Sequence, residues 1–360
     1  MRNLRLYILF IIGISLMIIS SCIRVENPDY GSEIKLYARM GSYVSISGET
    51  RSEDGLDIGI VRLDEKNGSE MTAGWPYFIN CSDALIAKLT EPDSDNNNLR
   101  TITGFNTPQF FKNSTDKIRY AAWYPQGTYT SGSSGTTITH SIDGNTDLLY
   151  SDVVEGTMST GFDVMEFHHA LSLFKIYAYS SSAIVDWGAI KSVSLSDMPN
   201  VCTITLPSGH EPASKREHNI VYSKSGDGLN LTCTPESPGI DITEGFENKV
   251  FIKEWITAPA TIETLKGLNI SVTTQAVEGS EVTKNISIAQ NFQPGYAYDI
   301  ILRFSDNGVV NAEVQIAEWP DGDDKYSDVD ISETFYDLSA NGTANCYIVS
   351  SANFSYCFDA

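Results

Sequence analysis

YDIILRFSDNGVVNAEVQI, residues 298–316, reads as two strands and the turn between them. Tyr298, Ile300, Leu302 and Phe304 form one inward set, and Val310, Ala312, Val314 and Ile316 form the next. A two-residue Asn307-Gly308 loop would pair residue 304 with 311, setting Phe304 opposite Asn311 and mixing the faces. A three-residue loop, Asp306-Asn307-Gly308, pairs 304 with 310, 302 with 312, 300 with 314 and 298 with 316. Every apolar residue then meets an apolar partner. Side chains alternate with period two, so register follows that match. The sequence therefore predicts the three-residue turn, with Gly308 in the left-handed conformation.

The same grammar runs back along the chain. Short apolar runs stand at Ile34–Ala38, Tyr43–Ser47, Leu56–Leu63, Trp75–Asn80, Lys117–Pro125, Phe162–Phe167 and Leu171–Tyr179. Others follow at Ile190–Leu195, Val201–Leu206, Ile220–Ser223, Leu229–Thr234, Val250–Lys253, Leu268–Thr274 and Val282–Ala289. In the third run Leu56, Ile58 and Ile60 share a face, which Arg62 continues. In the fifth, Ile118, Tyr120, Ala122 and Tyr124 oppose Arg119, Ala121 and Trp123. Leu171–Tyr179 carries apolar residues on both sides, the mark of a bulge or of a strand buried on both faces. Leu268, Ile270 and Val272 alternate with Asn269, Ser271 and Thr273, as in a strand with one wet face. Gln126–Thr139, rich in Ser, Gly and Thr, reads as a loop followed by a weak strand. With 18 Tyr, 15 Phe and 5 Trp, and no long run of helical spacing after residue 22, the chain is all-β.

Composition sets the compartment and excludes some partners. Arg2 and Arg5 precede a predominantly apolar run of fourteen residues, Leu6–Ile19, and Ser20-Ser21-Cys22 follow. This is the pattern of a secretory signal, too short for a spanning helix. A cysteine directly after two small residues resembles the lipobox of bacterial lipoproteins, with Cys22 as the acylated new N-terminus. Removing residues 1–22 leaves 338 of the 360 residues, enough for two ordinary domains. The net charge of −22 argues against nucleic acid as a partner. Five cysteines remain beyond Cys22, an odd number that forbids a complete disulfide framework. Cys202 with Cys233 and Cys346 with Cys357 are the two pairs the spacing admits; free buried thiols are the other reading, and Cys81 has no evident partner.

Several runs, in order, resemble the fimbrillin family of pilins and pilus-associated lipoproteins. The resemblance rests on Cys22, Asp57-Ile58-Gly59-Ile60, Tyr120–Pro125, Phe167-His168-His169-Ala170-Leu171-Ser172 with Lys175-Ile176, Pro294-Gly295-Tyr296-Ala297-Tyr298 with Ile300 and Leu302, and Ala317-Glu318-Trp319. It implies two tandem transthyretin-like β-sandwich domains after a lipoprotein signal peptide. The division expected is signal and lipobox 1–22, tether 23–33, N-terminal sandwich 34–183, C-terminal sandwich 184–320, acidic linker 321–333 and a C-terminal hairpin over 334–360. That last hairpin, Cys346–Ser350 with Phe354–Phe358, departs from simple shaft pilins and looks like the opening of an extra module. The resemblance also implies export as a lipoprotein precursor to the outer membrane and fimbrium. A trypsin-like protease would cut after an early arginine, for which Arg51 stands in the expected place and Arg39 is a second candidate. Removal of the first strand would then let a strand of another pilus subunit fill its groove.

Chemistry is sparse. His168 and His169 are adjacent in a strand connection and point to opposite faces, so they cannot chelate together. His210 and His218 sit in a charged loop and read as solvated. No nucleophile elbow, metalloprotease helix or phosphate-cradling loop is present, so the chain reads as no enzyme, without catalytic, cofactor-binding or metal residues. The aspartates of 321–330 lack the glycine and terminal glutamate of a calcium loop and read as solvated linker. Trp75, Tyr77, Trp123 and Tyr129 serve either as core or as a sugar-stacking surface. Two functions follow. The first is a structural or adhesive pilus subunit that assembles by strand exchange; the alternative is a glycan-binding outer-surface lipoprotein that stays tethered.

Overall fold

A computed structural model describes residues 33–40, 55–65, 84–91, 93, 99–112, 114–132, 135–182, 187–207, 218–261, 267–275, 279–305, 308–317, 319 and 334–335. Among them the chain is strand and turn, with one 3₁₀ turn at Phe246–Asn248. The first half supplies β1 (Leu36–Met40), β2 (Leu56–Asp64), β3 (Leu85–Leu89), β4 (Arg100–Thr103), β5 (Ile118–Tyr124), β6 (Thr128–Gly132), β7 (Gly135–Ser141), β8 (Leu149–Ser151), β9 (Val154–Thr157), β10 (Gly161–Phe162) and β11 (Met165–His169). The second supplies β12 (Ser172–Ser180), β13 (Ala189–Met198), β14 (Val201–Thr205), β15 (Asn219–Ser223), β16 (Leu229–Cys233), β17 (Ile240–Asp241), β18 (Val250–Thr257), β19 (Leu268–Gln275), β20 (Glu281–Ile288), β21 (Ala297–Phe304), β22 (Val310–Ala317) and β23 (Thr334–Phe335).

The first sheet runs β10-β9-β5-β2-β3-β4-β1-β11-β8, and β8 pairs again with β5, so the sheet closes on itself. Its interior is filled by Leu36, Ile58, Ile60, Leu89, Tyr120 and Met165, all buried. A second core lies between the sheet β18-β12-β21-β22-β23 and the sheet β16-β13-β19-β20. Phe174, Val193, Ile270, Ile300 and Phe304 are among its residues. Apolar faces covered in this way make the chain a β-sandwich protein.

The hairpin takes the predicted register: Phe304 pairs with Val310, Leu302 with Ala312, Ile300 with Val314 and Tyr298 with Ile316. Ser305 N–H donates to the Val309 carbonyl at 3.0 Å, and Gly308 has φ 78°. Ile316 is a correction, since it is 49% exposed. It sits at the far end of the hairpin, beyond the second core, which reaches only to Val314 on that strand. β19 alternates buried and half-buried residues throughout, as a strand with one wet face does. β12 shows both features read from its sequence: residues on both faces are buried, and its register against β18 shifts between Ile176 and Tyr177.

Other expectations are revised. Gln126–Thr139 is not a loop with one weak strand. Its β-branched threonines pair across a hairpin, Thr128 with Thr139 and Thr130 with Thr137. A boundary at 183/184 would leave β12 with the first unit. The strand instead pairs with β18 and β21 and sends Phe174, Ile176 and Ala178 into the second core. A fourth sheet, β15-β14-β7-β6, draws strands from both halves of the chain, with Ile204 paired to Ile138. It contributes Ile138 to a small cluster with Val61, Leu63, Ala121, Trp123 and Leu206, which covers the outward faces of β2 and β5. Cys202 and Cys233 are both free, and they belong to different sheets. Burial pushes the Cys202 thiol up to about 12. Tyr43–Ser47, Trp75–Asn80, Cys81, Cys346 and Cys357, the acidic linker and the hairpin of 346–358 lie outside the described residues.

Candidate functional site

β1 lies inside the first sheet, between β4 and β11, and is hydrogen-bonded along both edges. Ile34, Leu36, Ala38 and Met40 point inward and are at most 7% exposed. Tyr37 and Arg39 point out, and Arg39 meets Glu166 at 3.3 Å. One edge of the strand runs antiparallel to β4, with Leu36 opposite Ile102 and Ala38 opposite Arg100. The other runs parallel to β11, with Ala38 opposite Met165 and Met40 opposite Phe167. Burying the three large side chains is worth about 5–9 kcal/mol, at ~1.5–3 kcal/mol each. Taking β1 away would leave two unpaired strand edges flanking an apolar trough, the arrangement that templates another strand.

Beyond β4 the ladder is continued by a loop. Ile34 N–H donates to the Gln109 carbonyl at 3.0 Å, and Glu33 bridges to Phe110. Buried and half-buried polar side chains hold that loop. Arg62 Nη1 donates to Gln109 Oε1 at 3.1 Å and to the Phe110 carbonyl at 3.0 Å. The Tyr120 hydroxyl donates to Gln109 Oε1 at 3.3 Å, and Gln109 Nε2 donates to the Thr107 carbonyl at 2.7 Å. Asp64 takes Arg62 Nε at 2.8 Å and Lys112 Nζ at 2.5 Å. Burial works against its charge, but the Lys112 hydrogen bond and the Arg62 guanidinium hold its carboxyl below the usual range. The sequence offered one hint of this network: an arginine at 62, where the apolar face of β2 should continue.

Cys22 and Arg51 lie outside the described residues. Arg39, the second cleavage candidate, is not between strands but inside β1, with its backbone laddered to Glu166. A protease needs an extended, accessible backbone, so this position is closed while the strand is in place.

The histidines are structural in their contacts. His168 Nε2 and Asp152 Oδ1 are 3.0 Å apart, and His169 Nδ1 and Asp147 Oδ2 are 2.6 Å apart, on separate acids as opposite faces require. His218 is not solvated. Its ring meets Tyr150 edge-on at 5.1 Å, and Nε2 donates to the Ser151 carbonyl at 2.6 Å. Burial lowers its pKa. His140 is buried in β7, and burial lowers it to about 4. His210 lies outside the described residues. Trp123 is 1% exposed, stacks on Tyr129 at 6.0 Å and donates from Nε1 to the Gln126 carbonyl at 2.6 Å, so it serves as core. Trp75 and Tyr77 lie outside the described residues. No group of three or more potential metal ligands occurs among the described residues.

Stacked sheets whose polar contacts tie strands together, with a filler strand at the start, define a structural all-β protein. The chain belongs to the fimbrillin-like family, whose model matches residues 47–319. Membership makes it a non-enzymatic protein of pilus or adhesin type, found at the cell surface or in fimbriae. Solved structures similar to it include a candidate cell adhesion protein of Bacteroides uniformis, 16% identical with TM-score 0.47, covering 79% of this chain and 98% of that one. A second, from Bacteroides ovatus, is 16% identical with TM-score 0.46 and covers 80% and 96%. A candidate adhesin of Bacteroides thetaiotaomicron is 11% identical with TM-score 0.40, covering 81% and 98%. No curated protein matches the chain.

Proposed function

We propose that this chain is a pilus-associated subunit, exported as a lipoprotein precursor and acylated at Cys22. On this reading a trypsin-like protease cuts it after Arg51, and a strand of another pilus subunit replaces β1. Outer-membrane anchorage precedes assembly, and the body is two tandem sandwiches ahead of an acidic linker and a C-terminal module. The observation that carries the reading is β1 itself. It is the first described strand, it fills a gap between β4 and β11, and it precedes the stretch that holds Arg51. A strand that fills such a gap is bound by backbone hydrogen bonds and by alternate side chains, and any strand of like pattern supplies both.

The test uses the full-length precursor. Intact-mass measurement after limited trypsin treatment should show cleavage after Arg51, followed by assemblies of high mass that survive detergent. A chain cleanly cut at Arg51 that keeps its first segment and stays monomeric at high concentration would overturn the reading.

A further inference from the structure

The ladder around β1 holds a register problem whose solution names what an incoming strand must look like. Strand faces alternate with period two, so a slip of one residue would turn Lys35, Tyr37 and Arg39 into the core and is excluded by polarity. A slip of two residues keeps the same face inward and changes polarity only at one end of the row, where Ser32 would take the place of Ile34 or Ser42 that of Met40. Polarity opposes it at that one end alone, so along the rest of the row size must decide, and the end of the ladder must be anchored.

Both are present. Inward residues run Ile34, Leu36, Ala38, Met40, large-large-small-large. Ala38 is fully buried, and it is the residue of β1 paired on both sides, to Arg100 and to Met165. A two-residue slip would bring Leu36 or Met40 to that point. At the other end the Gln109 carbonyl accepts Ile34 N–H, and Gln109 is fixed by Arg62, Tyr120 and Thr107. That loop anchors the start of the strand, but its carbonyl accepts any non-proline amide on that edge, so the register itself falls to size.

Resting on the strand-replacement reading, we propose that this seat selects its occupant by two determinants. The first is a small residue at the position of Ala38 between large residues two places to either side. The second is a non-proline residue at the position of Ile34, whose backbone amide meets the Gln109 carbonyl on the loop that Arg62 positions. The partner is thus an extended segment of another chain with the inward pattern large-large-small-large. Arg62 is a positioning residue here: it holds the Gln109 side chain and the Phe110 carbonyl.

Two measurements decide this. In the intact chain, Arg62→Met should speed hydrogen exchange at the Ile34 amide at least tenfold and leave the amides of β19 unchanged. Unchanged protection of Ile34 in a folded Arg62→Met chain overturns the Gln109 determinant, whether or not strands are ever replaced. The second uses the full chain clipped at Arg51, with labelled peptides of residues 33–40 competing for the seat. The Ala38→Leu peptide, and one with Leu36→Ala and Ala38→Leu together, should bind on the order of 10- to 100-fold more weakly than the native peptide. Equal binding of the native and both altered peptides overturns the size determinant. If the native peptide does not enter at all, strand replacement itself fails, and the exchange measurement still decides the role of Arg62.

Discussion

Acidification should loosen the sheet that joins the two halves of the chain, and His140 is where it acts. The imidazole lies on β7, opposite Cys202 of β14, and is 4% exposed with Nε2 buried and unpartnered. Burial lowers its pKa from 6.5 to about 4. The unfolded chain therefore takes up a proton at this residue between those values while the folded chain does not. Stability rises with pH wherever the unfolded state binds more protons, so it falls as pH drops through this window. Going from pH 7 to pH 5 should cost about 2 kcal/mol at this one residue, and the loss should level off near ~3 kcal/mol at pH 4. His218, also lowered, adds in the same direction. Asp147 and Asp299, both raised by burial, work in the opposite sense. Urea denaturation from pH 7 to pH 4.5 on the wild type and on His140→Leu isolates the term, because other groups cancel in the difference. Between pH 7 and pH 5 the variant should lose about 2 kcal/mol less stability than the wild type. Parallel pH profiles for the two proteins would refute the reasoning.

Two further substitutions test the packing. A Cβ on Gly59 would stand 2.4 Å from the Trp123 indole, which is itself buried and hydrogen-bonded. Gly59→Ala should therefore cost about 1–3 kcal/mol in urea denaturation, and an unchanged midpoint would show that the indole moves freely. Gly308 has φ 78° with nothing within 4 Å of an added Cβ, so conformation alone opposes a side chain there. Gly308→Ala should cost about 1 kcal/mol, and Gly308→Asn less, because asparagine tolerates the left-handed region. Equal costs for the two would point to a contact rather than to backbone strain.

Legibility along this chain follows how many neighbours decide a residue's place. The hairpin 298–316 could be read because two strands and one turn settle its register between themselves. The faces of β2 and β5 could be read too, yet what lies outside them could not. Val61, Ala121 and Trp123 are buried because a sheet built from distant strands covers them. Short strands such as Leu149–Ser151 and Val154–Thr157 carry too few residues for a period, and they form because β5 and β11 offer edges to pair with. His218 looked solvated for the same reason: its charged neighbours suggest a loop, while Tyr150, far away in sequence, supplies the wall against which it packs.

The candidate site divides along this line. Alternation in Ile34–Ala38 announces a resident strand, and an arginine following an early strand suggests where a chain would be cut. The sequence cannot show that Ala38 sits between two ladders, because β4 and β11 reach it from 62 and 127 residues downstream. Nor can it show that Arg62 and Gln109 meet. An alanine in an apolar run looks like the weakest residue of the strand, since it buries the least surface. In the closed sheet it is the residue that makes the native register differ from its two-residue neighbours. Size patterning of this kind supplies discrimination that hydrophobicity alone supplies poorly, because a two-residue slip keeps the same face inward and exchanges an apolar residue for a serine at one end only. A seat that must accept one strand in one register therefore needs a small residue as much as the large ones around it.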